Sequence, residues 1–117
     1  MFMHVNEGGN NDAPEGFPKW RYSHFTAQKM ESSDRRVRIS AMRSSASAFI
    51  KKDDVRACIF NNKGRSCYLC GEYATQIDHK IPVALFADGA SLDYRRMNDY
   101  DNLFPICQKC NSSRAVR

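Results

Sequence analysis

The sequence predicts a small α+β protein held together by a metal site, and three observations support this prediction. Four of the five cysteines form two C-x2-C pairs, Cys67 with Cys70 and Cys107 with Cys110. Two short strand candidates lie between the first pair and the second, and helical patterns fill the middle of the chain. The 117 residues allow one domain of about 100 residues plus a tail, because single domains usually contain about 100 to 150 residues.

Composition excludes several classes of protein. Hydrophobic residues make up 42% of the chain and charged residues 26%, which is typical of globular proteins and atypical of collagen or a disordered chain. No apolar run approaches the roughly 18 residues of a membrane span, and the N-terminus lacks a basic stretch followed by an apolar core. We expect no membrane insertion and no export.

Positive charge is concentrated in the middle of the chain. Residues 1–18 contain no Lys or Arg and three acids, whereas residues 19–65 contain twelve bases and four acids, a net charge of +8. Residues 66–117 contain six of each. A basic segment can be a solvated helical surface or a contact for a polyanion, and the second interpretation requires chemistry elsewhere that acts on nucleic acid.

The cysteine pairs predict a structural zinc site. Two residues between thiolates let one turn present both sulfurs to the same ion, and two such pairs complete a tetrahedral shell of four cysteines. A closed shell leaves no position for water, so this metal stabilises structure and can contribute about 10–16 kcal/mol of apparent binding energy to folding. The fifth cysteine, Cys58, is expected to be a small buried hydrophobe on a helix.

The first half of the chain reads as a tail followed by helices. Residues 1–18 are polar and rich in turn formers, and we interpret them as a flexible tail. Residues 19–54 are interpreted as a basic, mainly helical arm, with a helix start at Ser32–Asp34. The serines of residues 44–47 weaken that helix, and a second helix is predicted over residues 53–62.

The remaining segment, residues 55–117, is interpreted as one domain built around the cysteines. A strand is predicted over residues 73–81, ended by a proline, and a second over residues 102–106. Residues 83–101 read mostly as a long loop with a short helix at 92–97, and a helix is expected to follow Cys107.

Between the cysteine pairs lies a second group of residues with chemical potential. Asp78 and His79 are adjacent, and Asn111 directly follows the last cysteine. Carboxylate and amide oxygens suit a hard ion such as Mg²⁺, and a neutral imidazole can remove a proton from water near pH 7. Neighbouring side chains on a regular strand point to opposite faces, so we expect a twist or bulge to bring Asp78 and His79 together. The alternative is a core histidine.

These residues lie within motifs that resemble the HNH endonucleases of the ββα-metal superfamily, in their zinc-bracketed form. The motifs are Cys67-x2-Cys70, then Ile77-Asp78-His79-Lys80-Ile81-Pro82, then Asn102-Leu103-Phe104-Pro105-Ile106-Cys107-x2-Cys110-Asn111-x2-Arg114. The resemblance covers about residues 55–117 and implies a small ββα motif stapled by the four cysteines.

The resemblance also implies a role for each matching residue. His79 matches the general base that activates water, and Asp78 matches a ligand of the catalytic divalent ion. Asn102 matches the middle asparagine, which in the family steadies the loop and helps to orient the base. Asn111 stands where a histidine is usual and is similar to asparagines that supply the second metal ligand, and Arg114 matches a basic residue that contacts phosphate.

Two departures from the family pattern affect the prediction. An amide oxygen at Asn111 should favour Mg²⁺ or Mn²⁺ over softer metals. The stretch from residue 83 to 101 looks long for the family and is either a solvated insertion or a substrate contact. Its candidate contacts are Arg95 and Arg96, and those of the basic arm are Arg35, Arg36 and Arg38.

The resemblance therefore implies hydrolysis of DNA phosphodiester bonds, by nicking or by cutting both strands. A homodimer would be needed if one site must cut both strands, but the sequence shows no dimer seam. Reduced, metal-bound thiols favour an intracellular, cytoplasmic setting. The alternatives are a non-catalytic zinc module that binds nucleic acid and a zinc domain that binds protein.

Overall fold

A computed structural model describes residues 5–8, 13–88 and 91–114, and it confirms the predicted α+β class. The strands and longer helices are β1 Val5–Glu7, β2 Arg21–Ser23, α1 His24–Met30, α2 Arg35–Ile50, α3 Asp53–Lys63, β3 Gln76–His79, α4 Val83–Asp88, β4 Leu103–Ile106 and α5 Gln108–Ser113. Single 3-10 turns lie between α4 and β4, at Tyr94–Arg96 and Tyr100–Asn102. No helix of the described residues is long and apolar enough to cross a membrane.

The N-terminal segment contains a strand that was not predicted. β1 pairs antiparallel with β2, with Asn6 opposite Tyr22. Phe17, in the segment that connects the two strands, is buried. The predicted flexible tail is therefore wrong at residues 5–7, because three residues are too few to show a strand period. Residues 1–4 and 9–12 of that tail lie outside the described residues, and the division of the chain at residues 18 and 54 stays a prediction.

Helices α2 and α3 follow the predicted signals closely. Asp34 caps α2, with its side chain accepting a hydrogen bond from the Arg36 N–H at 2.9 Å. The helix runs through residues 44–47, because Ala46 and Phe49 pack into the core, and this burial outweighs the weak helix propensity of serine. α3 ends at Gly64, whose positive φ of 84° suits only glycine well.

The predicted long loop after β3 is wrong at its start, where residues 83–88 form α4. Four of its six residues are buried, including Val83 and Phe86, and the helix packs against α2. Pro82 directly precedes the first helical residue, a position that favours helix initiation as well as strand termination. A 3-10 turn at Tyr94–Arg96 lies within the predicted short helix, and residues 89 and 90 are outside the described part of the chain.

One hydrophobic cluster joins the helical half to the hairpin of β3 and β4. Its fully buried members include Met42 of α2, Ile59 of α3 and Leu103 of β4. This shared core places α2 beside the hairpin, and the position of α2 determines which basic side chains reach the site described next.

Candidate active site and metal centre

The four paired cysteines come together as predicted. Their sulfur atoms all lie within 4.8 Å of one another. A tight turn holds the first pair, with the Gly71 N–H donating to the Cys67 carbonyl at 2.9 Å. The second pair lies at the start of α5, where Cys107 caps the helix and its sulfur accepts from the Cys110 N–H at 3.4 Å.

This cluster is compatible with structural zinc. The sulfurs of Cys70 and Cys107 are 3.6 Å apart, and four sulfurs bound at about 2.3 Å around a tetrahedral ion lie about 3.8 Å from each other. Burial opposes ionisation of Cys67, but surrounding backbone N–H groups outweigh it and lower its pKa to about 6. Hydrogen bonds with the neighbouring thiols raise the pKa of Cys110 to about 12. A bound cation would favour the thiolate form of a coordinating cysteine. Cys58 is buried on α3, as predicted.

A cleft of about 230 Å³ lies at the end of the hairpin and brings the second group of predicted residues together. β3 and β4 pair antiparallel without interruption from Gln76 to His79. Asp78, His79 and Asn111 line the cleft, and α2 contributes Arg43. Of the twist or bulge expected here, the bulge is absent, because the two strands pair without interruption; both neighbouring side chains nevertheless line the cleft.

The carboxylate of Asp78 is buried and held from one side. Its Oδ2 accepts a hydrogen bond from the Tyr68 hydroxyl at 2.6 Å and an ion pair from Arg114. Its Oδ1 has no hydrogen-bond partner in the described part of the chain. Burial and the adjacent carboxylate raise the pKa of Tyr68, so the phenol stays a donor. Arg114, predicted to contact phosphate, also donates to Tyr68 and lies against the Asp78 carboxylate in this structure.

His79 is 8% exposed, and its imidazole has one side-chain partner among the described residues. Its Nε2 lies 2.7 Å from the Oδ1 of Asn98, a buried residue of the segment between α4 and β4. Burial lowers the pKa of His79 below its ordinary value of 6.5, and the contacts with Asn98 and Asp78 only partly oppose this effect. The ring is therefore neutral at pH 7 and can accept a proton.

Asn102 connects the turn between β3 and α4 to the segment between α4 and β4. Its Oδ1 accepts from the Ile81 N–H at 2.7 Å, and its Nδ2 donates to the Met97 carbonyl at 2.9 Å. Its side chain makes no hydrogen bond with His79. Ile81 lies two residues after His79, and Met97 lies one residue before Asn98.

Asn111 reaches the cleft from α5. Its Nδ2 donates to the Gln76 side chain at 2.5 Å, and this bond ties the first turn of α5 to the start of β3. The amide oxygen is the atom through which Asn111 could bind a cation. The cleft thus contains one carboxylate and one amide, which are donors suited to a hard divalent ion.

Most of the six arginines predicted to contact nucleic acid have partners within the protein. Arg35 pairs with Asp88, Arg95 with Asp93 and Arg96 with Asp99. Arg114 pairs with Asp78, and Arg38 donates to the carbonyls of Ser32, Ser33 and Ala87. Arg36 is the exception, because its side chain has no partner among the described residues.

Three residues at the site were not predicted from the sequence. Arg43 is exposed on the rim of the cleft, and its guanidinium has no partner in residues 5–8, 13–88 and 91–114. Tyr68 contacts Asp78, and Asn98 contacts His79. The location of Tyr68 between the two cysteines of the first pair was a usable signal, whereas Asn98 and Arg43 are brought in only by tertiary packing.

An antiparallel hairpin followed by a helix, with an Asp-His pair at the strand end and cysteines bracketing the hairpin, corresponds to the ββα-metal class of nucleases that the motifs resemble. The family model for HNH endonuclease matches residues 58–117. This match covers 60 of the 117 residues, and the chain belongs to the HNH endonuclease family. No curated protein and no solved structure gives a significant match to the chain.

Proposed function

We propose that this protein is a metal-dependent endonuclease that hydrolyses phosphodiester bonds in DNA. The observation that carries the proposal is the convergence of Asp78, His79 and Asn111 on one cleft. A carboxylate, a neutral imidazole and an amide oxygen are the groups that a single-metal hydrolase requires. Membership of the HNH endonuclease family supports the same reaction class.

The cleft suits Mg²⁺ or Mn²⁺. Asp78 would hold the ion through Oδ1, which has no partner among the described residues, and Asn111 through its amide oxygen. These oxygen donors favour hard ions, whereas the sulfur cluster favours zinc, so the two metals would be sorted by ligand type. When bound, the ion supplies a Lewis acid that stabilises negative charge on the phosphate and on the leaving oxygen.

His79 would perform the proton transfer. Its neutral ring accepts a proton from water while the water oxygen attacks phosphorus opposite the 3′ oxygen. The new P–O bond forms as the P–O3′ bond breaks, and the leaving oxygen takes a proton from solvent. The products are a 5′-phosphate and a 3′-hydroxyl.

DNA would be held by the basic arm, chiefly along α2. Arg43 lies on the rim of the cleft without an internal partner, so its charge is available to a phosphate at the site of cleavage. Arg36 is exposed on the same helix and is likewise unpaired among the described side chains. The net +8 of residues 19–65 would supply further, sequence-independent attraction.

Cleavage of supercoiled plasmid by zinc-loaded protein tests the proposal. We expect nicked or linear products when Mg²⁺ or Mn²⁺ is added and none when both are omitted. The negative control omits the ions and does not use a chelator, because a chelator would also remove zinc from the cysteine cluster. His79→Ala should lower the rate by about 10² to 10⁴-fold, the usual contribution of a general base. His24→Ala, which changes an exposed histidine on α1, is the matched control and should cut like the parent.

The competing function, a zinc module that binds nucleic acid without cutting it, gives a different result in the same assay. It would retain plasmid binding but produce no cleavage with any divalent ion. Cleavage by His79→Ala at the parent rate would contradict the assignment of the base.

A further inference from the structure

We propose that Asn98 is the residue that positions the general base. Its Oδ1 accepts a hydrogen bond from the Nε2–H of His79, which leaves the lone pair of the ring on Nδ1. This inference rests on the proposed function, because it matters only if His79 accepts a proton. The family resemblance assigns the orientation of the base to Asn102. The structure places the side-chain contact with His79 at Asn98.

The contact is direct and enclosed. Oδ1 of Asn98 lies 2.7 Å from Nε2 of His79, and the two residues are 1% and 8% exposed. A hydrogen bond shielded from water is stronger than an exposed one, and the alternative for the imidazole would be an unpaired buried N–H. Nδ1 has no hydrogen-bond partner among the described residues, so it is the nitrogen left to meet a water molecule.

The amide of Asn98 selects the tautomer. With Oδ1 facing the ring, Nε2 must carry the proton, and Nδ1 keeps its lone pair. If the amide were rotated, Nδ2 would donate to Nε2, the proton would move to Nδ1, and Nδ1 could no longer act as the base. In the structure Oδ1 faces the ring, and Nδ2 is buried without a partner among the described residues.

Asn102 supports this arrangement from one step away. It bonds to the backbone of Ile81, two residues after the base, and of Met97, one residue before Asn98. Asn102 therefore holds together the two backbone segments that carry the imidazole and its partner. Asn102 acts on the backbone, whereas Asn98 contacts the imidazole itself. If Asn98 had only a structural role, its substitution would affect folding without affecting the tautomer.

Nuclear magnetic resonance of the zinc-loaded full chain tests the tautomer directly. Long-range ¹H–¹⁵N correlations distinguish a protonated ring nitrogen from one with a lone pair, and His79→Gln assigns the signals among the three histidines. In the parent protein, above the pH range in which the ring is charged, we expect the proton on Nε2. A proton found on Nδ1 would overturn the inference, whatever the variants do.

Kinetics of two variants separate positioning from folding. Asn98→Leu keeps the volume and removes the acceptor; we expect kcat to fall by about 10- to 100-fold, with KM unchanged and the two tautomers mixed. Asn98→Asp keeps an acceptor oxygen and should restore the parent tautomer and most of kcat when the imidazole is neutral. Parent-like kcat and ¹⁵N shifts in Asn98→Leu would overturn the inference.

The failure of this inference is distinguishable from the failure of the proposed function. Full activity of His79→Gln would contradict the assignment of His79 as the base, and with it the proposed mechanism. Loss of activity in His79→Gln together with full activity in Asn98→Leu would contradict only the positioning role of Asn98. If Asn98→Leu lowers thermal stability so far that it cannot be assayed, the tautomer measured in the parent still decides.

Discussion

The cysteine cluster and the cleft flank the same hairpin but are built in opposite ways. Four sulfurs within 4.8 Å of one another form a closed shell, and two of the four cysteines are buried. The cleft instead offers two oxygen donors, an imidazole and an opening of about 230 Å³. A closed set of soft ligands holds a fold, whereas an open set of hard ligands admits water and substrate. This difference suits the cysteine cluster to a structural role and the cleft to the proposed chemistry.

Removal of zinc should have the largest effect, because it acts on the closed centre. Loss of a site that contributes about 10–16 kcal/mol of apparent binding energy should unfold the hairpin and α5 at neutral pH. Circular dichroism and calorimetry with and without a strong chelator measure this effect, and added zinc should reverse it. An unchanged melting curve after complete removal of zinc would contradict the structural role.

Asp78→Asn should affect the open centre and leave the closed one intact. We expect cleavage to fall by about 100-fold or more, because a charged ligand is lost, while zinc content stays the same. Stability should fall by about 1–3 kcal/mol, since Arg114 loses its buried partner. Asp93→Asn, which removes the carboxylate of the exposed pair with Arg95, is the matched control and should cost under about 1 kcal/mol without affecting cleavage. Loss of zinc from Asp78→Asn would show that the two centres are not separate.

The pH dependence of cleavage should reflect the buried imidazole. Burial lowers the pKa of His79 below 6.5, so the neutral, active form persists to lower pH than for an exposed histidine. We expect kcat to stay constant as pH falls to about 6.5 and to decline below it, by up to tenfold per pH unit. Zinc content measured over the same range serves as the control, and a midpoint above pH 6.5 would contradict the prediction.

Arg43→Gln should have the smallest effect, because it removes one phosphate contact at the rim. The slope of log affinity against log salt for duplex DNA should become shallower by about 0.9. Arg95→Gln, which changes an arginine already paired with Asp93, is the matched control and should change the slope less. Equal slopes for the two variants would show that DNA does not approach from the side of α2.

The parts of this molecule that were predictable are those encoded by local spacing. The C-x2-C pairs place two sulfurs on one turn, so the four-cysteine cluster followed from the sequence, as did the cap at Asp34 and the helix end at Gly64. The adjacency of Asp78 and His79 likewise pointed to the cleft. In each case the relevant partners are at most a few residues apart or belong to a known motif.

The rest depends on tertiary packing. The rotation of α2 within the core points Arg43 at the cleft, while Arg35 and Arg38 on the same helix bond to Asp88 and to backbone carbonyls. No sequence pattern separates these three arginines. Asn98 likewise follows a segment whose helix α4 was read as a loop, so its distance from His79 could not be estimated.

Tyr68 connects the two centres through a single side chain. It lies between two cysteines of the first pair, its N–H donates to the Pro105 carbonyl at 2.9 Å, and its hydroxyl donates to Asp78. A transplant of this hairpin into another scaffold must therefore include the turn that carries Cys67, Tyr68 and Cys70. A graft limited to the two strands and α5 would lose the phenol that aims the carboxylate.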